Sequence, residues 1–389
     1  MDERYSGVAE YTRLLVQHLL EQDSVNQYFL YYNSRHDVSG RLPRFDFPNA
    51  RFVRTRIPNK IFHYPFLKFL GRPYFDRLVQ KQTGERMDIF FMPHLNFAAW
   101  SPAVKSVVAV HDLSFYHFPE FFNWRKNLWH RLLGVRGLLR RFNQVVAFSK
   151  NSAEDIASLA GIAPERISVI PSGVEAKFHT FAADDPRLSA IRSKYSLPDR
   201  FILALSTVEP RKNIEGLIEA FEILKGDQVN DDLKLVIAGG RGWKSAPIYR
   251  RAAASLHSSD IMFLGYVPAE DRPALYNAAT VFAFPSFYEG FGFPPLEAMA
   301  CGTPTVVAAT SCLPEVVGDG ALLVNSYNSL ALAEAIRNIF TDERLAAELS
   351  AAGKVQAATF KWNKTAKAYL DIFSNVTESD VARAVRSDK

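Results

Sequence analysis

The stretch VFAFPSFYEGFGFPPLEAMACGTPTVVA, residues 281–308, decides the fold that the sequence predicts. Two apolar runs of strand length, VFAF and TPTVV, enclose a Gly- and Phe-rich loop and a short helix predicted from Pro294. Glu289 lies in the loop, and Glu297 is expected in the first turn of the helix. A strand–loop–helix–strand unit is typical of parallel α/β sheets, which bind ligands at the carboxyl ends of their strands.

The loop and helix start suit a nucleotide. Gly290 and Gly292 allow tight turns and close approach of the backbone, and proline fits a first helical turn. Free N–H groups at a helix start can hold a phosphate, and a carboxylate can accept hydrogen bonds from both hydroxyls of a ribose. We therefore expect Glu297 on the ribose and Glu289 facing the group beyond the far phosphate. The alternative is a helix-start glutamate that suits the dipole and an exposed glutamate on the loop.

The same alternation of strands and helices continues along the chain. It predicts two doubly wound parallel α/β domains that face each other across a ligand cleft. We place an N-terminal domain at 1–180, a C-terminal domain at 181–360, and a last helix and tail at 361–389, with the helix crossing back to the first domain. The predicted strands are FLYYN (29–33), MDIFFMP (87–93), SVVAVHD (106–112), NQVVAFS (143–149), ISVIPSGV (167–174), FILALST (201–207), LKLVIAGG (233–240), IMFLGYV (261–267), VFAFPS and TPTVVAA (303–309).

Helices are predicted by apolar spacing and by their end signals. Residues 7–20 and 214–224 have apolar side chains at helical spacing. Residues 149–161 should begin with Asn151 or Ser152 as the N-cap and end at Gly161. The polar segment 181–200 is interpreted as the connection between the domains.

A basic pair lies at the edge of the same sheet. STVEPRKNIEGL (206–217) places Arg211 and Lys212 in the turn between a strand and its helix. Two cations there would neutralise a leaving diphosphate, the largest charge change when a group is transferred from a nucleotide. The alternative, two solvated cations near a helix start, is slightly unfavourable without an anion because it opposes the dipole.

The first domain offers weaker candidates. His111 ends the strand VVAVHD beside Asp112 and could donate to a sugar hydroxyl or a phosphate, although a lone histidine is more often structural. Ser6 and Gly7, before the first helix, could form a loop that contacts phosphate or sugar.

The bulk composition is that of a soluble globular protein of two domains. The chain has 389 residues, of which 48% are hydrophobic and 22% charged. No apolar run reaches the ~18 residues of a membrane span, and the N-terminus MDERYSGVAEYT does not read as a signal peptide. Cys301 and Cys312 give no disulfide framework and no metal-ligand spacing, and we expect packed thiols in a reducing cytoplasm.

Two stretches are basic and aromatic. Between Arg51 and Arg72, and between Phe121 and Gln144, every charged side chain is Lys or Arg. This mixture suits an anionic surface, either lipid headgroups or a phosphorylated partner. We expect residues 51–75 and 121–142 to dock at the inner leaflet; a groove for the acceptor, with ordinary snorkelling side chains, explains them equally well.

The order of these motifs resembles glycosyltransferase family 4, whose members are retaining, nucleotide-sugar-dependent enzymes of the GT-B fold. The resemblance covers nearly the whole chain. The combination of HDLSF and EPRKN is similar to bacterial mannosyltransferases of O-antigen and exopolysaccharide assembly, which use GDP-mannose. The matching motifs are SGVAEYT (6–12), AVHDLSF (109–115), VIPSGVE (169–175), STVEPRKN (206–213), LVIAGG (235–240) and FYEGFGFPPLEAMACGTPTV (287–306).

The resemblance implies a role for each donor-side residue. Arg211 and Lys212 would hold the donor diphosphate, Glu297 would bind the ribose, and Glu289 would contact the 3- and 4-hydroxyls of the donor sugar as an orienting and charge-stabilising group. Further donors to the sugar and phosphate would come from the backbone of Gly290, Phe291 and Gly292.

The resemblance also implies roles in and near the first domain. His111 would sit against the transferred sugar near its 6-hydroxyl, and Gly7 would lie in the loop that contacts the diphosphate and acceptor. Ser172 and Gly173 would line the cleft near the hinge. Family members usually need no metal, and the sequence has no Asp-x-Asp beside a strand end, so we expect neither a metal nor another cofactor.

The chain departs from the family in two places. Members begin with a strand of roughly ten residues ahead of the glycine loop, whereas this sequence starts almost in that loop. Either the start codon is misassigned or another segment takes the place of this strand. The predicted role of Gly7 depends on which of these two explanations is correct. Some members also have an arginine where Ser206 stands here, which leaves Arg211 and Lys212 as the main cations.

The resemblance thus implies a cytoplasmic hexosyltransferase, peripheral on the inner membrane, that moves mannose from GDP-mannose to a glycan on a polyprenyl diphosphate for cell-surface polysaccharide. Its partners would be the nucleotide sugar, the lipid-linked acceptor and the membrane surface, without nucleic acid. The alternatives are a GT-B epimerase or phosphorylase, and a non-catalytic nucleotide-sugar-binding partner with an incomplete first domain. No lysine motif for the pyridoxal phosphate of a phosphorylase is visible.

Overall fold

A computed structural model describes residues 7–58, 67, 70–226 and 232–387 of the chain, which divides into two compact units. The first unit contains the chain as far as Leu113, residues 128–173, and the chain from Trp362 onward. The second contains Ser114–Asn127 and Val174–Lys361. The chain thus leaves the first unit after Gly173, where the predicted boundary is 180, and the last helix counts with the first unit.

The first unit contains two parallel sheets. Strands β1 and β2 form one, and β3, β4, β5 and β6 form the other in that order. Within the described residues, neither β1 nor β2 pairs with a strand of the four-stranded sheet. The strands are β1 (Tyr28–Asn33), β2 (Ala50–Thr55), β3 (Ile89–Met92), β4 (Lys105–Val110), β5 (Gln144–Ala147) and β6 (Ile167–Val169).

The second unit has one sheet of six parallel strands among its described residues. Its order is β9-β8-β7-β10-β11-β12, so the direction of winding reverses between β7 and β10. Helices cover the sheet because its strands are apolar on both faces; Ile202, Val236 and Phe282 are fully buried. The strands are β7 (Phe201–Leu205), β8 (Lys234–Ala238), β9 (Ile261–Gly265), β10 (Val281–Phe284), β11 (Thr305–Ala308) and β12 (Leu322–Val324).

The helices alternate with these strands as the sequence predicts. In chain order they are α1 (Gly7–Gln22), α2 (Phe75–Thr83), α3 (Ser114–His117), α4 (Trp124–Leu133), α5 (Val135–Arg140), α6 (Lys150–Ala160), α7 (Pro186–Tyr195), α8 (Ile214–Gly226), α9 (Ala246–Ala253), α10 (Arg272–Ala278), α11 (Phe293–Ala300), α12 (Leu313–Val317), α13 (Ser329–Thr341), α14 (Glu343–Ala357) and α15 (Trp362–Ser387).

The first and last helices pack together in the first unit. Tyr11 of α1 and Tyr369 of α15 are fully buried, and their hydroxyl oxygens are 2.7 Å apart. The indole of Trp362 lies 5.7 Å from the ring of Tyr11. Burial of these large aromatic groups attaches the C-terminal helix to the first unit.

Three local predictions need correction. The N-cap of α6 is Ser149, whose side chain accepts from the backbone N–H of Ser152, because the helix starts two residues earlier than an Asn151 cap would allow. Residues 181–200 contain α7, which is capped by Asp185, so they are not merely a connection. The basic stretch from Arg51 begins with strand β2.

The other bulk predictions have simple outcomes. Cys301 and Cys312 are free and buried, as predicted for packed thiols. Among the described residues no helix combines the length and the apolar character that a membrane span requires. Part of the segment 51–75 and Ser6 lie outside the described residues.

Candidate active site

The candidate site of the second unit lies where its strand order reverses. Strand β7 is followed by the turn that carries Arg211 and Lys212, and β10 by the loop that carries Glu289. The two strands are neighbours in parallel, so both loops leave the same edge of the sheet. The backbone N–H of Phe287 donates to the carbonyl of Arg211 over 2.9 Å and joins the loops. This is the topological switch point, where open α/β sheets bind their ligands.

A cluster of two cations and two carboxylates fills this point. Glu289 contacts Arg211 Nη1 at 2.9 Å through one oxygen and Lys212 Nζ at 2.5 Å through the other. The Arg211 guanidinium also donates to Glu209 at 3.0 Å and to the carbonyl of Tyr288 at 2.6 Å. Since the four charged side chains are 1–12% exposed, they are held rigidly and largely away from water.

The charges of the cluster are set by burial and by each other. Burial alone would raise the pKa of Glu289, but Arg211 and Lys212 outweigh it and lower that pKa to about 2. Glu289 is therefore a carboxylate at neutral pH. Burial raises the pKa of Glu209 and lowers that of Lys212, with Arg211 adding to the lowering at Lys212.

Glycines brace the turn that carries the cations. Gly239, at the end of β8, has φ of +141°, and a Cβ atom there would lie 1.8 Å from the carbonyl oxygen of Ser206. Any side chain would push the turn away. Gly242 packs on the same turn, and its backbone N–H donates to the carbonyl of Val208 over 3.0 Å. These contacts explain the glycines at positions 239 and 242.

Glu297 lies in α11 and contacts a tyrosine of α10. Its carboxylate accepts a hydrogen bond of 2.8 Å from the hydroxyl of Tyr276, and both residues are buried. The helix α11 begins at Phe293 rather than Pro294, so Glu297 is in its second turn and the predicted first-turn position was wrong. Tyr276, which fixes this carboxylate, was not predicted, because α10 and α11 meet only in the folded chain.

The glycine loop has the backbone freedom that the sequence predicts. Gly292 is the N-cap of α11 with φ of +101°, and a Cβ atom there would lie 2.9 Å from Leu313 Cδ2. Gly290 precedes it in the loop. Phe291 is buried, and its ring packs edge-on against Phe293 at 5.1 Å. The loop is thus anchored by an aromatic side chain on one side while its backbone faces the helix start.

His111 lies in the first unit directly after β4. Its ring packs edge-on against Tyr11 and Phe148, at 4.9 and 4.7 Å between centroids. Nε2 is 3.1 Å from the carbonyl oxygen of Pro93. Burial lowers the pKa of His111 to about 4, so the imidazole is neutral at pH 7.

The remaining predicted residues of the first unit lie at two places in the sequence. Gly7 is the exposed first residue of α1. Ser172 is 1% exposed, and its buried hydroxyl has no hydrogen-bond partner among the described residues. Gly173 is the last residue before the chain enters the second unit.

A segment that the sequence analysis did not assign to the site covers its loops. Residues 114–127 count with the second unit, and Phe121 packs on Phe287 with centroids 5.5 Å apart. His117 lies 5.2 Å from the ring of Tyr288. The loop that holds Glu289 is thus packed against aromatic side chains from far away in the sequence, a contact that no local pattern signals.

Four buried polar atoms at this edge have no hydrogen-bond partner among the described residues. Each lies in a loop that follows a strand of the six-stranded sheet: Glu209 Oε2 after β7, Trp243 Nε1 after β8, Ser286 Oγ after β10 and Ser326 Oγ after β12. Buried polar groups normally find partners. Their convergence on one edge favours a polar ligand there.

Two other features of the described residues lie outside this site. A cavity of about 430 Å³ lies between α7 and α10, lined in part by Phe181 and Glu270. Its cations Arg187 and Lys194 are already paired with Asp185 and Asp271 at 2.6 Å each. No group of three or more His, Cys, Asp or Glu side chains within the described ranges could hold a metal ion.

Comparisons with known proteins bear on the family and the fold of the chain. The profile of Glycosyltransferase Family 4 matches residues 5–178, and that of Glycosyl transferases group 1 matches residues 190–356. The solved structure of a sucrose-phosphate synthase from Thermosynechococcus elongatus superposes with a TM-score of 0.73 at 20% identity, over 96% of this chain and 94% of that one. The predicted GT-B fold, with two Rossmann-like domains, is confirmed.

Two Escherichia coli relatives are similar in sequence. The serotype-specific mannosyltransferase WbdA is 33% identical over 281 residues, which are 71% of this chain and 34% of WbdA, so the chain spans about a third of that relative. The O-antigen chain mannosyltransferase B is 32% identical over 278 residues, which are 70% of this chain and 69% of the relative.

Proposed function

Because the chain belongs to glycosyltransferase family 4, we propose that it is a retaining hexosyltransferase that transfers mannose from GDP-mannose to a lipid-linked glycan during cell-surface polysaccharide assembly. The O-antigen mannosyltransferase B and WbdA, named as mannosyltransferases, support this choice of sugar. The observation that carries the proposal is the contact of Glu289 with both Arg211 and Lys212 at the switch point of the second sheet.

The cluster has the charges that a sugar diphosphate requires. Arg211 and Lys212 bind the diphosphate, and Glu289 holds them in place until it arrives. Glu289 then accepts hydrogen bonds from the 3- and 4-hydroxyls of the sugar, for which its low pKa keeps it ionised. Glu297, which is fixed by Tyr276, accepts hydrogen bonds from the ribose hydroxyls. The backbone of Gly290, Phe291 and Gly292 donates to the sugar and the phosphate.

The resemblance also gives roles in this proposal to residues of the first unit. His111 is uncharged and its Nε2–H donates to the carbonyl of Pro93, so its Nδ1 accepts a single hydrogen bond from the 6-hydroxyl of the sugar. Gly7, the first residue of α1, contacts diphosphate and acceptor through its backbone, and Ser172 and Gly173 take part in binding the donor.

The proposed reaction requires no protein base. The bond between the anomeric carbon and the diphosphate oxygen breaks, and the acceptor oxygen attacks from the same face, so configuration is retained. The departing diphosphate takes the proton of the acceptor hydroxyl. Arg211 and Lys212 stabilise the charge that develops on the diphosphate, which metal ions do in other transferases.

Helix α4 supports a lipid-linked acceptor. Trp124, Leu128 and Leu132 are spaced by four residues along the helix and are 70%, 46% and 45% exposed. Arg131 and Arg136 are exposed beside them, and no acid occurs from Phe121 to Gln144. An apolar stripe flanked by arginines complements an anionic bilayer surface. We therefore propose that the enzyme works peripherally at the cytoplasmic face of the membrane.

A thermal-shift and product-release screen tests the donor. The purified protein is heated with GDP-mannose and with UDP- and ADP-sugars, and free nucleotide is measured. At ~100 times the Kd a ligand adds about 2.7 kcal/mol, so GDP-mannose should raise Tm by roughly 5–10 °C and be hydrolysed slowly or transferred. A larger shift with another sugar nucleotide would change the donor.

Two results would contradict the transferase itself. Binding of a donor without any release of nucleotide, with and without lipid-linked acceptor, would favour the non-catalytic partner. Interconversion of the sugar without nucleotide release would favour an epimerase. If transfer occurs, the anomeric configuration of the product by NMR decides whether it is retained.

Vesicle co-sedimentation tests the membrane surface. The protein should pellet with vesicles containing an anionic lipid at low salt and much less with neutral vesicles. Replacing Trp124, Leu128 and Leu132 by Ser should reduce pelleting, while Leu256→Ser, at a residue 97% exposed in the second unit, serves as the control. No pelleting with anionic vesicles at low salt would exclude the surface.

A further inference from the structure

A third cation lies beside the ion cluster, and it comes from the first half of the chain. Lys126 is near the end of the segment Ser114–Asn127, which counts with the second unit. Its Nζ lies 3.2 Å from the centroid of the Trp243 ring. A lysine ammonium this close to the face of an indole is held there by the ring quadrupole.

The position of Trp243 is itself fixed. Its ring stacks on Phe122 with 5.6 Å between centroids and 20° between planes. The preceding residue, Gly242, packs so closely on the turn after β7 that a Cβ atom there would lie 3.1 Å from Glu209 Cβ. Lys126 is thus held by a residue whose neighbour, Gly242, packs on Glu209 of the ion cluster.

The ammonium of Lys126 is within electrostatic reach of that cluster. Burial lowers the pKa of Lys126, Glu209 raises it and Arg211 lowers it further. The side chain is half-buried, so a bound ligand can reach its ammonium group.

The cluster with Lys126 has more positive than negative groups. Arg211, Lys212 and Lys126 stand against Glu209 and Glu289, so the formal balance is 3 − 2 = +1. Concentrated positive charge in a partly desolvated place favours an anion.

A second observation points to the same kind of ligand. The Nε1–H of Trp243 is buried and has no acceptor among the described residues. An unpaired donor of this kind costs free energy until an acceptor arrives. A ligand with several negative oxygens would satisfy both the excess charge and this N–H.

We propose that Lys126, positioned by Trp243, is a third cation that binds the diphosphate of the sugar donor together with Arg211. This inference rests on the proposed function, since it takes the diphosphate as the ligand of the cluster. The segment 114–127 then supplies a binding residue as well as a packing surface for the Glu289 loop.

The test compares nucleoside diphosphates with monophosphates. Affinities of GDP, UDP and ADP, and of GMP, UMP and AMP, are measured by calorimetry for the wild type and for Lys126→Met, which keeps most of the packing on Trp243. Loss of one direct cation should weaken the bound diphosphate about tenfold and the monophosphate much less. Lys126→Arg should retain most of the affinity, and added salt should reduce the difference between wild type and Lys126→Met.

Lys244 provides a matched control. It follows Trp243 in the loop, and its Nζ donates to the carbonyl of Glu120 over 2.5 Å, so it joins the same two segments. Lys244→Met should leave the diphosphate affinity within twofold of the wild type. Trp243→Leu should weaken it about threefold, because the cation remains but is no longer held.

The outcomes separate this inference from the function on which it rests. If the wild type binds a nucleoside diphosphate and Lys126→Met binds it equally well, the inference is wrong and the transferase proposal stands. An equal loss for diphosphate and monophosphate, or for Lys244→Met, would show that Lys126 acts only through packing and would also overturn it. If the wild type binds none of the three diphosphates, both proposals fall.

Discussion

Our proposal assigns a role to Glu289 of the second unit and to His111 of the first unit. The surroundings of these two side chains are opposite in kind. Glu289 is surrounded by ions, with Arg211 and Lys212 within 2.9 Å. His111 is surrounded by aromatic rings and a backbone carbonyl. The first arrangement keeps a carboxylate ionised despite burial, whereas the second keeps an imidazole neutral.

In the proposed reaction the two surroundings would give Glu289 and His111 different roles toward the donor. A charged, internally balanced cluster can exchange its own ion pairs for those with a diphosphate. A neutral imidazole among rings can only offer shape and a single hydrogen bond. Changes in the second unit should therefore alter rate and nucleotide affinity most, and changes at His111 should be seen most clearly in the dependence of stability on pH.

The largest effect is expected at Lys212. Lys212→Met leaves Glu289 with one cation and removes a charge from the proposed diphosphate site, so kcat should fall at least ~10³-fold. The fall in kcat is measured from initial rates of nucleotide release, with the donor that the screen identifies. Lys234→Met, a lysine of β8 that is paired with Asp260, should stay within twofold; a Lys212 variant as active as this control would remove the cluster from the mechanism.

A smaller effect is expected at Glu209, which the sequence analysis did not assign to the site. Its carboxylate orients Arg211, so Glu209→Gln should lower kcat roughly 10- to 30-fold. Nucleoside diphosphate affinity should be unchanged or tighter, since a negative charge has been removed beside the cations. Steady-state kinetics measure kcat and calorimetry measures the affinity for the nucleoside diphosphate. Glu334→Gln, on an exposed face of α13, is the control. Equal losses in rate and affinity would contradict an orienting role.

At His111 the expected effect is a change in acid stability. Its folded pKa of about 4 lies below the ~6.5 of an unfolded histidine, so the unfolded chain binds more protons between these values. This contribution to stability is present above pH ~6.5 and is lost as the pH falls toward 4. His111→Gln should reduce the loss between pH 7 and pH 4.5 by about 1–2 kcal/mol in urea unfolding. Replacing the exposed His36 by Gln should not change this loss of stability. If the wild type, His111→Gln and His36→Gln show the same dependence of unfolding free energy on pH, His111 is not buried as a neutral base.

The smallest effect is expected at Tyr276. Tyr276→Phe removes the hydroxyl that fixes Glu297, which should cost about 1 kcal/mol of unfolding free energy. Binding of the nucleoside diphosphate should weaken about threefold, and its preference over the 2′-deoxy form should shrink. Calorimetry measures both, with Tyr249→Phe as the control. An undiminished preference for the ribo form would argue that Glu297 does not bind the ribose.

Much of the donor side could be predicted because of a simple geometric rule. Arg211, Lys212 and Glu289 each follow an apolar run of strand length, and parallel strands bring their carboxyl ends to one edge. The strand order was not available from the sequence, so the meeting of these side chains at the switch point needed the structure.

Other parts of the site left little local signal. Trp243, Lys126 and Tyr276 contact residues far away in the chain, and nothing in their own segments indicates a partner. Helix α7 is different, because Asp185 followed by a proline is a recognisable helix start that the polar composition of 181–200 obscured. The start of α11 at Phe293, rather than at a proline, moved Glu297 by one residue and so out of the first turn.

Strand β1 has a consequence for handling the protein. Within the described residues it pairs only with β2, and its sequence YFLYYN is apolar and aromatic. A strand edge of this composition is a template for pairing with another chain. Amide protons along Tyr28–Asn33 should exchange with deuterium faster than those of the central strand Phe201–Leu205. Concentrated stocks should self-associate through the edge of β1 under conditions in which the six-stranded sheet is still folded.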